Sequence, residues 1–250
     1  MNILEAMLLG CIQGLTEFLP VSSSTHLHIA KWFLGVEHPE RYLFFDLICH
    51  LGTAFAAILF FYKEIVEIIN SPKMILQFFI ALLPLIPCYF LLKPLREGGH
   101  HPLWLSLMFT GIILFISTWM KEKPFKGKYR DMLFIGFMQG MALIPGISRS
   151  GSTISGALFR GWEVQKAIRF SFLLAIPAIL GGGIVEVFAK NKLAIALPIH
   201  IYITGFLLSF LTGFLGIKML SLFLDKKRLR PLAFYCMGVG LFVLALKIHG

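Results

Sequence analysis

The sequence predicts an all-α polytopic membrane protein built as an inverted-topology repeat, and three observations carry that prediction. Hydrophobic residues make up 57% of the chain and charged residues 14%, a composition that excludes an ordinary soluble domain. Apolar runs of about 20 residues, enough to cross a bilayer as a helix, recur without the strict alternation of a β-barrel. The third observation is a polar motif that occurs once in each half of the chain.

The basic charge indicates membrane-flanking loops and not a nucleic-acid partner. The formal net charge is +10, but the Lys and Arg residues cluster in short stretches between apolar runs, at 121–130 and 226–230. Positive residues of this kind collect in cytoplasmic loops of membrane proteins. We therefore expect no nucleic acid as a partner. The four cysteines lie in apolar runs without C-x-x-C spacing and are interpreted as small buried hydrophobes.

Each half is predicted to contain one re-entrant helical hairpin followed by three transmembrane helices. In the segments that carry the motif, an apolar stretch runs into a proline and a Ser-rich tract, which suits a hairpin better than a crossing. A run of three glycines in the second half, at 181–183, is interpreted as a site of close helix packing or a kink. The six predicted spans are 43–62, 74–93, 103–120, 167–188, 198–222 and 231–248.

This count of crossings predicts that the two halves are inverted. Three crossings separate the hairpins, so they enter from opposite sides, and the basic loops at 121–130 and 225–230 both become cytoplasmic. Broken helices of inverted repeats commonly meet near the midplane and form a site there. We expect one membrane domain over 1–250, with repeat 1 at about 1–122 and repeat 2 at about 130–250.

The repeated motif concentrates polar residues in an apolar chain. The pattern G-x-x-Q-G at 10–14, followed by P-V-S-S-S at 20–24, recurs at 136–140, followed by P-G-I-S-R-S at 145–150. Polar groups in such a setting are costly unless they line an enclosed or wet cavity. Two tracts of this kind predict one shared site.

The first copy offers a carboxylate and a histidine. Gln13 and Glu17 are four residues apart and share a helix face, and an ionised Glu17 among apolar neighbours requires a divalent cation, an Arg or a proton. Both could instead make only helix-to-helix hydrogen bonds. His26, directly after the serines and Thr25, suits a general acid or base, a nucleophile or a metal ligand. His50 has no recurring context and is interpreted as a packing or loop residue.

The second copy is suited to phosphate. Arg149 stands between Ser148 and Ser150, with Gly151 and Thr153 close behind. Glycines expose backbone N–H groups, hydroxyls add donors, and a guanidinium matches phosphate oxygens bidentately. The alternative is that Pro-Gly only turns the hairpin while Arg149 extends to the membrane surface.

Together, the motifs at 13–24 with His26 and at 145–153 resemble the undecaprenyl-diphosphate phosphatase family over essentially the full chain. The resemblance implies a multi-pass enzyme of the bacterial inner membrane. With the orientation given above, hairpins that meet towards the outer face would place its site on the periplasmic side. Such an enzyme removes the terminal phosphate of undecaprenyl diphosphate, recycles the cell-wall carrier lipid and confers bacitracin resistance. Its partner is then a polyprenyl diphosphate lipid, and a homodimer is left open.

The resemblance also assigns roles. It implies that Gln13 and Glu17 hold a divalent cation, Mg²⁺ or Ca²⁺, and that Glu17 takes part in catalysis. Ser22, Ser23 and His26 fall on the family's serine stretch and its histidine. The residues that fall on its phosphate motif are Ser148, Arg149, Ser150, Gly151 and Thr153.

Three questions stay open on the sequence alone. The attacking group is Ser23, His26 or a water activated by Glu17. A polyprenyl-phosphate flippase would use the same anion site, whereas a scaffold protein would leave both polar tracts unexplained. Finally, Thr25 stands where the family usually has Gly, and a positive φ at that position would disfavour Thr.

Overall fold

The computed structural model describes residues 1–36, 38–97, 102–125, 127–189, 196–223 and 225–246, and every regular element in these ranges is helical. A short 3₁₀ turn, Pro39–Tyr42, precedes the third α-helix. The helices in chain order are α1 (Ile3–Glu17), α2 (Ser23–Phe33), α3 (Leu43–Phe60), α4 (Tyr62–Ile69), α5 (Pro72–Leu82), α6 (Leu85–Leu91), α7 (Lys93–Glu97), α8 (Leu103–Ser117), α9 (Tyr129–Met141), α10 (Arg149–Phe159), α11 (Val164–Ala189), α12 (Ile199–Phe223) and α13 (Lys226–Ala245).

Five of the six predicted spans are confirmed as helices long and apolar enough to cross a membrane. They are Leu43–Phe60, Pro72–Leu91, Val164–Val185, Ile199–Ser221 and Lys226–Ala245. The second consists of α5 and α6, which are separate helices because Pro84 has no N–H to continue the first. The last begins at Lys226, earlier than predicted, because the Asp225 side chain accepts from the N–H of Arg228 and caps the helix.

The prediction of a full span over 103–120 is wrong in length. Helix α8 has 15 residues and ends at Ser117, which corresponds to about 22 Å. The Ser117 and Thr118 hydroxyls bond to the carbonyls of Leu114 and Phe115, and turns follow through Met120. These local hydrogen bonds compete with continuation of the helix.

Both repeated segments form the predicted helical hairpins. Pro20 lies in the turn between α1 and α2, and Pro145 in the turn between α9 and α10. Ser22 and Ser148 cap the second helix of each hairpin, with side chains that accept from backbone N–H groups of α2 and α10. Thr25 lies inside α2 and needs no positive φ, because that conformation falls on Ser22 (φ +69°).

Helix α12 packs along α1 and α3, and all three run in the same direction. Gly10 and Gly14 of α1 lie against Gly205 and Gly213 of α12, where the missing side chains let the backbones approach closely. On α3, Phe45 lies against Gly205 and Thr53 against Gly213, so the contacts follow the same order along the two helices. The first hairpin is therefore held by a helix of the second half of the chain.

The second hairpin is held by helices of the first half. Helix α9 runs in the same direction as α5 and α6, with Gly136 against Ala81 and Gly140 against Cys88. Helix α11 runs opposite to α3: its first turns meet the end of α3 through Phe172 and Phe61, whose ring centroids are 6.2 Å apart. Its later residues meet the start of α3. Phe172 belongs to the main hydrophobic core and packs against Phe18 at the end of α1, with ring centroids 5.1 Å apart.

Candidate active site

A cavity of about 250 Å³ lies between the two hairpin turns and helices α3 and α11. Its wall combines residues of both motif copies with residues of two spanning helices. The polar lining residues are Glu17, Ser22, Ser23, Ser24, His50, Ser148 and Arg149. The fold therefore brings the two Ser-rich tracts together at one cavity, which is consistent with the prediction of a shared site.

Glu17 is the centre of this cluster, and its side chain is only 4% exposed. Its Oε1 forms an ion pair with Nη2 of Arg149, which joins the two hairpins. Its Oε2 accepts from Gln13 Nε2 at 2.6 Å and from Ser23 Oγ at 2.8 Å. Burial alone would raise the pKa of Glu17, but the opposing charges of His50 and Arg149 hold that pKa well below its usual range.

Two helix N-termini meet at the cavity. Ser23 is the first residue of α2 and Arg149 the first residue of α10, and each helix has 11 residues. The free N–H groups and the dipole of a helix N-terminus favour an anion. Together with the Arg149 guanidinium, the two helix N-termini offer positively polarised groups to an anion in the cavity.

The other residues of the second copy support the turn. Ser150 Oγ donates to the Leu19 carbonyl at 2.8 Å, which ties the tip of one hairpin to the other. The Gly151 N–H donates to Ser148 Oγ at 3.1 Å. Thr153 Oγ1 bonds to the Arg149 carbonyl at 2.9 Å. Ser150, Gly151 and Thr153 are not among the described residues that line the cavity, so their predicted contacts with phosphate stay predictions.

His26 points away from Glu17. Its Nδ1 lies 2.8 Å from the Ser22 carbonyl, which can only accept, so Nδ1 carries the proton. Its Nε2 lies 2.8 Å from the hydroxyl of Tyr235 on α13, and the two rings stack. Burial lowers the pKa of His26, which favours this neutral ring. The catalytic role assigned to His26 stays a prediction.

His50 is a site residue that the sequence interpretation missed. Its Nδ1 lies 3.2 Å from Glu17 Oε2 and 2.7 Å from Gln13 Nε2. His50 therefore contacts both polar residues of α1 and does more than fill space in the core. One signal was available: an ionisable side chain within an apolar span is a functional candidate by default. Asp46, one turn earlier on α3, forms an ion pair with Lys31 at 2.5 Å.

Comparison with known proteins identifies close relatives over nearly the full chain. Residues 6–242 match the family described as bacitracin resistance protein BacA. The chain is 41% identical over 249 residues to the undecaprenyl-diphosphatase of Protochlamydia amoebophila (strain UWE25), covering 96% of this chain and 97% of that protein. It is 36% identical over 265 residues to the undecaprenyl-diphosphatase of Carboxydothermus hydrogenoformans, covering 100% and 99%. The protein of the same name from Thermosipho africanus is 39% identical over 248 residues, covering 94% and 96%.

Proposed function

The chain belongs to the bacitracin resistance protein BacA family, and on that premise we propose how its site works. The protein is an undecaprenyl-diphosphatase, a membrane-embedded enzyme that hydrolyses undecaprenyl diphosphate to undecaprenyl phosphate and inorganic phosphate. This reaction recycles the carrier lipid of cell-wall synthesis and accounts for bacitracin resistance. The flippase alternative is not favoured, because the relatives are named as phosphatases.

The observation that carries the mechanism is the hydrogen bond from Ser23 Oγ to Glu17 Oε2, at 2.8 Å, beside the guanidinium of Arg149. It joins a nucleophile, a proton acceptor and a phosphate-binding cation in one cavity, which is the arrangement that phosphoryl transfer requires. We therefore take Ser23 as the attacking group in place of His26 or water.

Binding of the diphosphate prepares the base. A Glu17 carboxylate paired with Arg149 is a weak proton acceptor, since its pKa is held low. The terminal phosphate competes for the guanidinium, which Ala175 O already orients through Arg149 Nη1 at 3.1 Å. As Arg149 turns to the phosphate, Glu17 loses its ion pair and gains basicity towards Ser23.

The chemistry then proceeds in two displacements. Ser23 Oγ bonds to the terminal phosphorus as its proton passes to Glu17, and the bond to the bridging oxygen breaks, which releases undecaprenyl phosphate. Water next attacks the phosphoserine, the bond to Ser23 Oγ breaks as the proton on Glu17 returns to that oxygen, and the product is inorganic phosphate. Arg149 and the N-termini of α2 and α10 stabilise the charge that develops on the phosphoryl oxygens in both steps.

A divalent cation, Mg²⁺ or Ca²⁺, fits the donors present at Glu17. Gln13 Oε1 is buried and has no hydrogen-bond partner in the described part of the chain, so a carbonyl oxygen is available on the side chain that contacts Glu17. Over the described ranges no group of three or more His, Cys, Asp and Glu side chains could hold a metal. One carboxylate plus substrate phosphates is a donor set typical of Mg²⁺. When bound, the cation would neutralise phosphate charge.

The packing also supports the inverted repeat. Helices α1 and α3 both run with α12, whereas α9 runs with α5 and α6, whose start lies beside the start of α11. Because α11 is antiparallel to α3, the two hairpins run in opposite directions. The cavity is lined by the early turns of α3 and the late turns of α11. We propose that this end faces the periplasm of an inner-membrane protein, which the basic loops at the opposite end support.

Phosphate release by the purified chain in detergent tests this function. We expect release from undecaprenyl diphosphate by the wild type, and loss in Glu17→Gln and Arg149→Ala variants that keep the wild-type elution volume. The control is Asp131→Asn, which removes an ion pair with Arg160 inside the second hairpin and leaves the cavity intact. Removal of divalent cations by a chelator should also stop release.

A result with no release from the wild type under any cation would contradict the proposal. A homodimer stays a prediction, which the mass of the purified chain in detergent tests.

A further inference from the structure

The active-site cavity has an apolar half that the phosphate chemistry does not use. Opposite the Ser-rich tips, its wall consists of Leu47 of α3 with Ala178, Ile179, Gly182 and Gly183 of α11. The four residues of α11 are spaced i, i+1, i+4 and i+5, so they form a single helix face. An apolar wall beside a phosphate site suits a substrate that has a diphosphate and a hydrocarbon chain.

Packing does not explain the glycine at the centre of this wall. The run of glycines at 181–183 was predicted to allow close packing of helices. Of the three, only Gly183 packs closely, because a Cβ added there would lie 2.7 Å from Leu47 Cδ1. Around Gly181 and Gly182, no atom of the described residues lies within 4 Å of that position. Glycine inside a helix costs about 1 kcal/mol relative to Ala. Gly182 therefore bears that cost without a gain in helix contact.

The wall leads from the phosphate site to the lipid-facing surface. Arg149 contacts α11 at the Ala175 carbonyl, and Gly182 lies seven residues further along, about 10 Å away by the helical rise. Val185, three residues after Gly182 and therefore on a neighbouring part of the same helix face, is 43% exposed. Apolar surface is thus continuous from the cavity to the outside of the helix bundle.

The opposite side of the first hairpin is closed by side-chain contacts. There α2 and α13 are bridged by the hydrogen bond between His26 and Tyr235. Further along the same pair of helices, the rings of Phe33 and Phe242 stack with centroids 6.3 Å apart. A hydrocarbon chain would have to separate both contacts to leave there.

We propose that the polyprenyl chain of the substrate leaves the cavity over Gly182, between α3 and α11. Gly182 is then a specificity-determining residue, because the absence of a side chain makes room for the first isoprenoid part of the lipid. The proposal rests on the proposed function, since it concerns the lipid portion of the same substrate.

The test compares Gly182→Leu with Gly182→Ala in the full chain, purified in detergent. The leucine should raise the KM for undecaprenyl diphosphate roughly tenfold, the effect of losing about two buried CH₂ groups, with kcat little changed. The alanine should stay within about twofold of wild type, a difference below 0.5 kcal/mol. The matched control is Gly238→Leu, since Gly238 is an exposed helical glycine on α13 with no described atom within 4 Å of an added Cβ.

Wild-type kinetics in a folded Gly182→Leu variant would overturn the proposal, as would a fall in kcat with unchanged KM. If that variant does not fold, Gly182→Cys carries the test through its rate of maleimide labelling, measured on the peptide. Undecaprenyl phosphate should slow labelling at this cysteine but not at Gly238→Cys, and inorganic phosphate should slow neither. Equal rates with and without lipid would refute the path, whereas an inactive wild type would refute the function itself.

Discussion

The two hairpin tips share one backbone plan and hold opposite chemistry. In each, a serine caps an 11-residue helix whose first residue faces the cavity, Ser23 in one copy and Arg149 in the other. The glutamines of the two copies differ more sharply. Gln13 bonds to Glu17, whereas neither amide atom of Gln139 has a hydrogen-bond partner among the described residues, although both atoms are buried. The two copies of the motif thus share the position of a helix N-terminus, whereas the chemistry at that terminus depends on which residue stands there.

A charge exchange between the tips should give the largest effect. Glu17→Arg and Arg149→Glu each place two like charges together, and we expect phosphate release to fall by about 10³-fold or more in each. The double variant restores an ion pair, so its thermal stability should recover towards wild type while its activity does not. Recovery of activity in the double variant would mean that the two tips are interchangeable.

Removal of the proposed nucleophile should be nearly as severe. Ser23→Ala removes the hydroxyl bonded to Glu17, and we expect kcat to fall by about 10³-fold. The comparison is Ser150→Ala in the other tip, whose hydroxyl bonds to Leu19 O and lies 3.2 Å from Ser148 Oγ, and its kcat should stay within about tenfold. Rapid-quench trapping of a phosphorylated peptide containing residue 23 provides the direct check. Its absence in a single turnover would favour attack by water.

His50 lies on α3, outside the first motif, but contacts Glu17 and Gln13 of that motif. Its removal therefore tests whether a residue outside the motif contributes to the site. Without its imidazole, Glu17 and Gln13 lose a contact that orients them, and His50→Ala should lower kcat about 10- to 100-fold. An appropriate control is His200→Ala, an exposed histidine at the start of α12. Equal kcat values for the two variants would return His50 to a packing role.

The smallest effect concerns the two glutamines. Gln139→Leu removes two unpaired buried polar atoms, each of which costs about 1–3 kcal/mol. We expect thermal unfolding in detergent to occur at the wild-type temperature or above it, with full activity. Gln13→Leu should instead reduce activity, because Gln13 contacts Glu17. A destabilised Gln139→Leu variant would show that this side chain has a bonding role like that of Gln13.

Much of the fold follows from local patterns. Apolar run lengths predict five of the spans, and the proline and serine positions predict both hairpins, because helix termini and turns are determined by neighbouring residues. The span at 103–120 is too long because hydroxyl-to-carbonyl bonds at Ser117 and Thr118 end the helix, and hydropathy does not register such bonds. The family's usual Gly at position 25 raised the question of a positive φ there, and the backbone has its positive φ at Ser22 instead.

The sequence by itself determined the helical membrane fold, the two hairpins and the pairing of a carboxylate-bearing tract with an arginine-bearing one. Only the tertiary structure decided that His50 contacts Glu17, that His26 turns towards Tyr235 and that Gly182 faces the cavity. The physical reason is distance along the chain. Spacing within one helix determines which residues share a face, but the partner of that face can come from a helix 209 residues away, as Tyr235 of α13 does for His26 of α2.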